Sequence, residues 1–333
     1  MTVEKDYKGF IRVETLHLIP RSLVNFSIFI ARNDRLLLYK PANDYITEEQ
    51  IERMYNMGAR FLYVEEEEKG DLYDYYESNI DLLMKSPVIE TNKKLTILRS
   101  VSEHIMERSF QKPEVKTQFS RWRKNISDNF NFILDNQEIF SRMIVIAEKD
   151  SYTYTHSVNV CLMMMGFAID SGIQDDKTIK DIGLGGMLHD LGKAMIPETI
   201  IKKPGPLSQQ EWELMQKHPE DGSKLFINHD LASEQTLQII HQHHESFVGS
   251  GYPEHLRGPQ IDYWARVAKV IDVYDAITSN RPYQKASQPY QALKEMIAMD
   301  SFDRIILTQF INFLNINRME RLKDKFYLMS TPV

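Results

Sequence analysis

Apolar positions in the first seventy residues come in short runs separated by polar turns. Ile11 to Leu18, Ser27 to Ala31 and Leu36 to Tyr39 are rich in Ile, Val, Leu and Phe and predict strands; Asn33-Asp34 between the last two predicts a hairpin turn. Thr47, with Gln50 three residues on, predicts a capped helix over 48–56, which Gly58 ends before a strand over 60–64. The period then changes. Leu72, Tyr75, Tyr76, Ile80 and Leu83 keep a 3-4 spacing, as do Trp122, Ile126, Phe130, Ile133 and Leu134, so this stretch reads as helices broken by Pro87 and Pro113. Stripes of this kind build cores and carry no chemistry. Beyond 149 the pattern stays helical, and helices over 300–313 and 318–326 close the chain, the last with Met319, Leu322 and Phe326 on one face. The expected architecture is mainly α: a small α+β segment over 1–70, a helical connector over 71–148 and an all-helical domain over 149–333.

Composition narrows the class. With 333 residues, 42% of them hydrophobic, the chain is long enough for two domains. No apolar run reaches the roughly 18 residues of a membrane span, and the charged start, Met1 to Lys8, is no signal peptide. The single cysteine, Cys161, excludes a disulfide framework, fits a reducing cytoplasm and lies in an apolar run that predicts burial. A net charge of −7 argues against broad binding to a nucleic acid polymer, though not against a small anion in a locally basic pocket. The run Glu65 to Glu68 reads as a solvated boundary.

Chemistry enters with the histidines. Seven of the ten fall between positions 156 and 244. His156, His189-Asp190, His218 and His243-His244 all sit on or at the ends of predicted helices, and Lys193 follows Asp190 by three residues. Asp272 and Asp275 lie inside the apolar stretch ARVAKVIDVYDAITS, where an unpaired carboxylate would be costly to bury. Metal ions are natural partners, and imidazole with carboxylate but no thiolate suits Fe, Mn or Zn. Five histidines and one or two aspartates exceed what one ion uses, so two ions are expected, with Asp190 as the bridging carboxylate.

The order His156, His189-Asp190 and a later aspartate resembles the HD phosphohydrolase superfamily. The segments KPGPLSQQEWELMQKHPEDGSKLF, HHESFVGSGYPEHLRG and ARVAKVIDVYDAITSNRPYQKA resemble its HD-GYP branch, with Gly251-Tyr252-Pro253 intact. The stretch RLLLYKPANDYITEEQIERMYNMGARFLYV resembles a small domain often found ahead of that catalytic domain, which implies a regulatory or dimerising role for 1–70. The resemblance implies a helical bundle in a bacterial signalling enzyme. It also implies hydrolysis of cyclic di-GMP to linear pGpG and GMP by a metal-bridging hydroxide, or of 3′,3′-cyclic GMP-AMP in some members. It assigns His156, His189, Asp190, His218, His243, His244 and Asp272 as metal ligands, favouring Asp272 over Asp275. Lys193 is assigned to the scissile phosphate, and Gly251, Tyr252, Pro253 and Arg281 to the substrate. Iron or manganese is the implied pair of ions. Departures stand beside these matches. Tyr152 occupies the place of a third-ion glutamate, which calls a third ion into question. Ser246, Phe247 and Val248 replace an arginine, a tryptophan and an aspartate, and Gln284 stands where a basic residue is common. They leave open a second reading, a nucleotide-binding or partner-binding module with little or no catalysis, which turnover distinguishes from the first.

Overall fold

A computed structural model describes residues 7–136, 153–227, 231–279 and 286–314. The chain divides into two compact units, residues 1–104 and 105–333.

The first unit is built on a four-stranded antiparallel sheet. Its strands are β1 (Phe10–Glu14), β3 (Ile28–Arg32), β4 (Arg35–Lys40) and β6 (Phe61–Glu65), in the order β1-β6-β3-β4. The expected hairpin is present, and Asn33 and Asp34 take the left-handed backbone that a tight two-residue turn demands, at φ 49° and 60°. Helix α1 (Glu48–Asn56) carries the expected capping box, with Gln50 N donating to Thr47 Oγ1 and Thr47 N to Gln50 Oε1. The strand expected over 11–18 stops at Glu14. Residues Thr15–His17 turn as a 3-10 segment, where Thr15 donates its hydroxyl to Ala59 O and His17 turns inward to the Tyr76 hydroxyl at 2.9 Å. A two-stranded ribbon, β2 (Leu23–Val24) with β5 (Asp44–Tyr45), was not legible in the pattern.

The glutamate run does not end this unit. Glu66 and Glu67 are exposed, but Glu68 accepts both the amide and the hydroxyl of Ser27, at 2.9 and 3.1 Å. Helix α2 (Lys69–Ser78) follows and buries Leu72, Tyr75 and Tyr76; the Tyr75 hydroxyl receives Ile19 N at 2.7 Å. Short α3 (Ile80–Lys85) and the start of α4 (Thr91–Gln111) continue the unit to residue 104.

The second unit is helical throughout its described residues. After α4 come α5 (Val115–Asp135), α6 (Thr153–Asp170) and α7 (Asp176–Leu188), then a 3-10 turn over Leu191–Met195. Next are α8 (Glu198–Ile201), α9 (Gln209–Met215), α10 (His218–Ile227), α11 (Glu234–Gln242), α12 (Tyr263–Thr278), α13 (Pro289–Ala298) and α14 (Arg304–Leu314). Helix α6 is apolar on nearly every side and runs through the centre, as such a helix must. It packs on α7 and α12, and α11 packs on both of those. Cys161 is buried within α6, as expected, and burial raises its thiol pKa. Trp122, Ile126, Phe130 and Ile133 of α5 are buried as the stripe predicts, while Leu134 faces out. Side chains fix where the helices begin: Asp175 accepts Thr178 N ahead of α7, Ser233 accepts Thr236 N ahead of α11, and Asp262 accepts Trp264 N and Ala265 N ahead of α12. The expected helix over 318–326 lies outside the described residues.

Candidate metal centre and active site

Three helix ends and two helix faces converge in the second unit. His189 and Asp190 follow the last residue of α7, His243 and His244 follow α11, and His218 opens α10 directly after α9. Placement at helix ends has a chemical consequence. The last carbonyls of a helix have no partner within it. His189 Nδ1 stands on Gly186 O at 2.8 Å, His243 Nδ1 on Ile240 O at 2.9 Å and His218 Nδ1 on Met215 O at 2.7 Å. A carbonyl only accepts, so each Nδ1 carries the ring proton and each Nε2 presents a lone pair inward.

His156, from the first turn of α6, reaches the same result through a carboxylate. Its Nδ1 bonds Asp275 Oδ2 at 2.7 Å, and Asp275 is held in turn by Asn159 Nδ2 at 2.8 Å and Ser279 Oγ at 3.3 Å. Asp272, three residues before Asp275 on α12, meets His156 Nε2 at 3.1 Å. The two aspartates therefore divide one imidazole between them, Asp272 on the inward nitrogen and Asp275 on the outward one.

All seven side chains expected as ligands fall into two adjacent groups. Asp190, His218, His243 and His244 form one, and His156, His189 and Asp272 the other. Asp190 stands between them: Oδ1 lies 3.3 Å from His218 Nε2 and 3.8 Å from His243 Nε2, and Oδ2 lies 3.5 Å from His189 Nε2 and 3.9 Å from His156 Nε2. Lys193 Nζ reaches Asp190 Oδ2 at 2.6 Å. The 3-10 turn explains this contact, because positions i and i+3 eclipse in that geometry and bring the lysine directly over the aspartate.

The electrostatics are those of a site built for cations. Burial opposes the charge of Asp190, but Lys193 and the neighbouring imidazoles outweigh it and hold the carboxyl well below the usual range. Burial likewise opposes ionisation of Asp272, and its hydrogen bond and attraction to His156 win. Burial opposes the charge of His156 too, yet Asp272 and Asp275 push its pKa up to about 10. His243 and His244 are driven the other way, well below the ordinary imidazole value, by burial and by their histidine neighbours. What remains is unbalanced without a cation. His189 Nε2 and Asp190 Oδ1 are buried with no hydrogen bond, and the lone pairs of His218 Nε2 and His243 Nε2 face each other at 3.3 Å. Imidazole nitrogens presented this way around a carboxylate fit divalent metal ions, each nitrogen already oriented from behind.

Close packing of the backbone holds the arrangement. A Cβ on Gly192 would lie 1.9 Å from His218 O and 2.7 Å from Gly222 N, so only glycine lets the 3-10 turn sit against the start of α10. A Cβ on Gly251 would strike Ser246 N at 2.2 Å. The glycine presses the Tyr252 loop onto the turn after His244. Glu245, fully buried, accepts Glu254 N and Leu256 N at 2.7 and 3.0 Å, closing the loop from its far side. The Tyr252-Pro253 peptide is cis, and the Tyr252 ring stacks on His244 at 4.8 Å and 22°. The departures at 246–248 leave this frame intact: Ser246 is buried and accepts the Ser250 hydroxyl, Phe247 N bonds Ser301 O, and Val248 is exposed. Arg281, like Tyr152 and Gln284, lies outside the described residues. The carbonyl supports of the three histidines, Asn159 and Glu245 were not singled out from sequence. Asn159 could have been, since it lies three residues after His156 on the same face.

A family comparison agrees with this geometry. The HD domain family matches residues 139–306, just over half of the chain. The chain belongs to the HD domain family. It is 35% identical over 185 residues to a cyclic di-GMP phosphodiesterase of Pseudomonas aeruginosa, covering 55% of this chain and 44% of that protein. It is 31% identical over 179 residues to 3′3′-cGAMP-specific phosphodiesterase 2 of Vibrio cholerae, covering 51% and 34% respectively. This HD-domain chain thus spans less than half the length of either relative. A HDG"Y"P protein from Bdellovibrio bacteriovorus shares the fold, with a TM-score of 0.62 at 20% identity over 92% of this chain and 99% of that one. The HD domain and the overall fold are thus what the comparisons share with this chain. Among the described residues no helix is long and apolar enough to cross a membrane.

Proposed function

We propose that the chain is a metal-dependent phosphodiesterase that hydrolyses cyclic di-GMP to linear pGpG, GMP or both, using two divalent ions, iron or manganese. The observation that carries this reading is Asp190. One of its oxygens faces His218 and His243, the other faces His156 and His189, and Lys193 sits against the second. Asp190, His218, His243 and His244 would hold one ion; Asp190, His156, His189 and Asp272 would hold the other. When bound, such ions supply a water acidic enough to attack phosphorus near neutral pH and positive charge for the phosphate oxygens.

The chain's own residues supply the rest. Lys193 lies close enough to the ligand set to donate from its ammonium to a non-bridging phosphate oxygen, where negative charge grows in the transition state. Tyr252 stays protonated, because burial and the charges of Asp190 and Asp272 all raise its pKa. It therefore serves as a hydrogen-bond donor and an aromatic surface, not as a base. Gly251 and Pro253 set its position, and Arg281, through its match to the family pattern, is proposed as a further contact to the phosphates or bases of the substrate. The Vibrio relative favours 3′3′-cGAMP as the second candidate substrate. The 1–70 segment is proposed as a regulatory or dimerising element, and the lone buried cysteine suits the cytoplasm.

The test is metal content of anaerobically purified protein, followed by turnover of cyclic di-GMP and 3′3′-cGAMP on the same sample. Two ions per chain with a linear or mononucleotide product support the proposal; turnover that persists after complete metal removal refutes it. Asp190→Ala should lose both ions together.

A further inference from the structure

The metal centre accounts for the phosphate of a nucleotide substrate but not for its base. One aromatic side chain near the centre has no role so far. Trp212, on α9, keeps 43% of its surface in water, whereas Trp122 and Trp264 are buried. Its ring lies 6.2 Å from that of Tyr252 at an interplanar angle of 81°. Tyr252 spends one face on His244, 4.8 Å away, and His244 belongs to the candidate ligand set. Rings thus run in sequence from the metal centre to solvent: His244, Tyr252, Trp212.

Trp212 is also held in place. Helix α9 begins with a capping box, Glu211 N donating to Ser208 Oγ and Ser208 N to the Glu211 carboxylate, and Lys203 pairs with that same carboxylate at 2.5 Å. The next residue after α9 and its capping turn that matters is His218, whose Nδ1 rests on Met215 O, the last residue of α9. The helix that presents the indole therefore also orients a candidate ligand. An open indole face at right angles to a tyrosine makes a corner of the kind purines occupy, since every base has a flat face to stack. A base hangs one ribose from its 3′ phosphate, so a phosphate on the metal centre brings its base to the neighbouring wall.

We propose that Trp212, together with Tyr252, forms the stacking wall for a purine base of the substrate and so sets base-dependent affinity at this site. The inference rests on the cyclic dinucleotide reading above. Trp212 lies within the segment KPGPLSQQEWELMQKHPEDGSKLF, but it is not in the candidate ligand set and was assigned no role there.

The experiment compares wild type, Trp212→Ala and Trp212→Phe as full-length, metal-loaded protein. KM and kcat are measured for cyclic di-GMP, and inhibition constants for GMP and inorganic phosphate. Stacking of one base on an aromatic corresponds to about a 5- to 150-fold change on truncation to alanine. KM and the GMP inhibition constant should rise within that range in Trp212→Ala, with phosphate inhibition and metal content unchanged and Trp212→Phe near wild type. Phosphate carries no base, so a merely structural role would move both inhibitors together. GMP should also quench indole fluorescence in wild type and not in Trp212→Phe. Equal losses for GMP and phosphate, or no loss for either while wild type turns over cyclic di-GMP, overturn the stacking wall and leave the enzyme reading standing. Wild type that neither binds nor cleaves a cyclic dinucleotide overturns both.

Discussion

Replacing Asp275 with asparagine should weaken one half of the metal centre without touching a ligand. Asp275 accepts from His156 Nδ1 at 2.7 Å on one oxygen and from Asn159 Nδ2 at 2.8 Å on the other. Hydrogen bonds to charged groups contribute about 1.5–3 kcal/mol each, neutral ones about 0.5–1.5. Asparagine keeps one accepting oxygen and turns an NH2 toward the other donor. One bond is lost and the second becomes neutral, so the metal-free protein should lose roughly 2–4 kcal/mol of stability. The His156 ring also loses the partner that fixes its tautomer, and changes of this kind cost about 10–100-fold in metal affinity. The assay is competition for metal against a fluorescent chelator, with ions counted per chain and denaturant unfolding run in parallel. The loss should fall on the group of His156, His189 and Asp272, so that one ion remains at chelator concentrations where wild type keeps two. Unchanged affinity at both groups would refute the idea that Asp275 orients His156, whatever happened to stability.

Three other outcomes are expected. Lys193→Ala should retain its ions and lose about 10²–10³ in kcat, as removal of a charge-stabilising donor does; wild-type turnover removes the lysine from the mechanism. Gly192→Ala must separate the 3-10 turn from α10, where backbone atoms stand in the way, and should cost roughly 3 kcal/mol or more, read as a lower Tm, with weakened metal binding through His218. For the chelated protein, stability should peak near pH 6.5. The His156 pKa is raised from 6.5 to about 10, so its contribution is complete below 6.5 and drains away as pH climbs to 10. His243 and His244 are depressed, so below 6.5 the unfolded chain takes up protons that the folded chain refuses, and stability falls on that side too. His156→Gln should flatten the alkaline limb in denaturant melts; an alkaline limb that is flat in the wild type contradicts the assigned pairing.

Much of this protein was legible in its residue order, for reasons that are local. Capping at Thr47 and the Asn33-Asp34 turn depend on neighbours within four residues, and both came out as read. Buried stripes on α2 and α5 followed from a 3-4 period that needs only one helix to interpret. The candidate ligands were also visible, because carboxylates inside an apolar helix demand partners wherever that helix packs. Where tertiary contacts competed with local pattern, the reading slipped. The strand over 11–18 ended early because Thr15 and His17 found partners at Ala59 and Tyr76. A glutamate run that looked solvated holds Ser27 through Glu68.

What the sequence determined by itself, then, was the list of chemical groups and the helices that carry them, since composition and period are properties of short stretches of chain. Which aspartate faces inward, which carbonyl holds each imidazole, and how Asp190 comes to stand between two groups were decided only by tertiary structure. Asp272 and Asp275 are indistinguishable by period, and they separate only because His156, more than a hundred residues away, inserts between their carboxylates. Trp212 gains its place beside Tyr252 in the same way, through the docking of one helix end against a distant loop, which no spacing along the chain encodes.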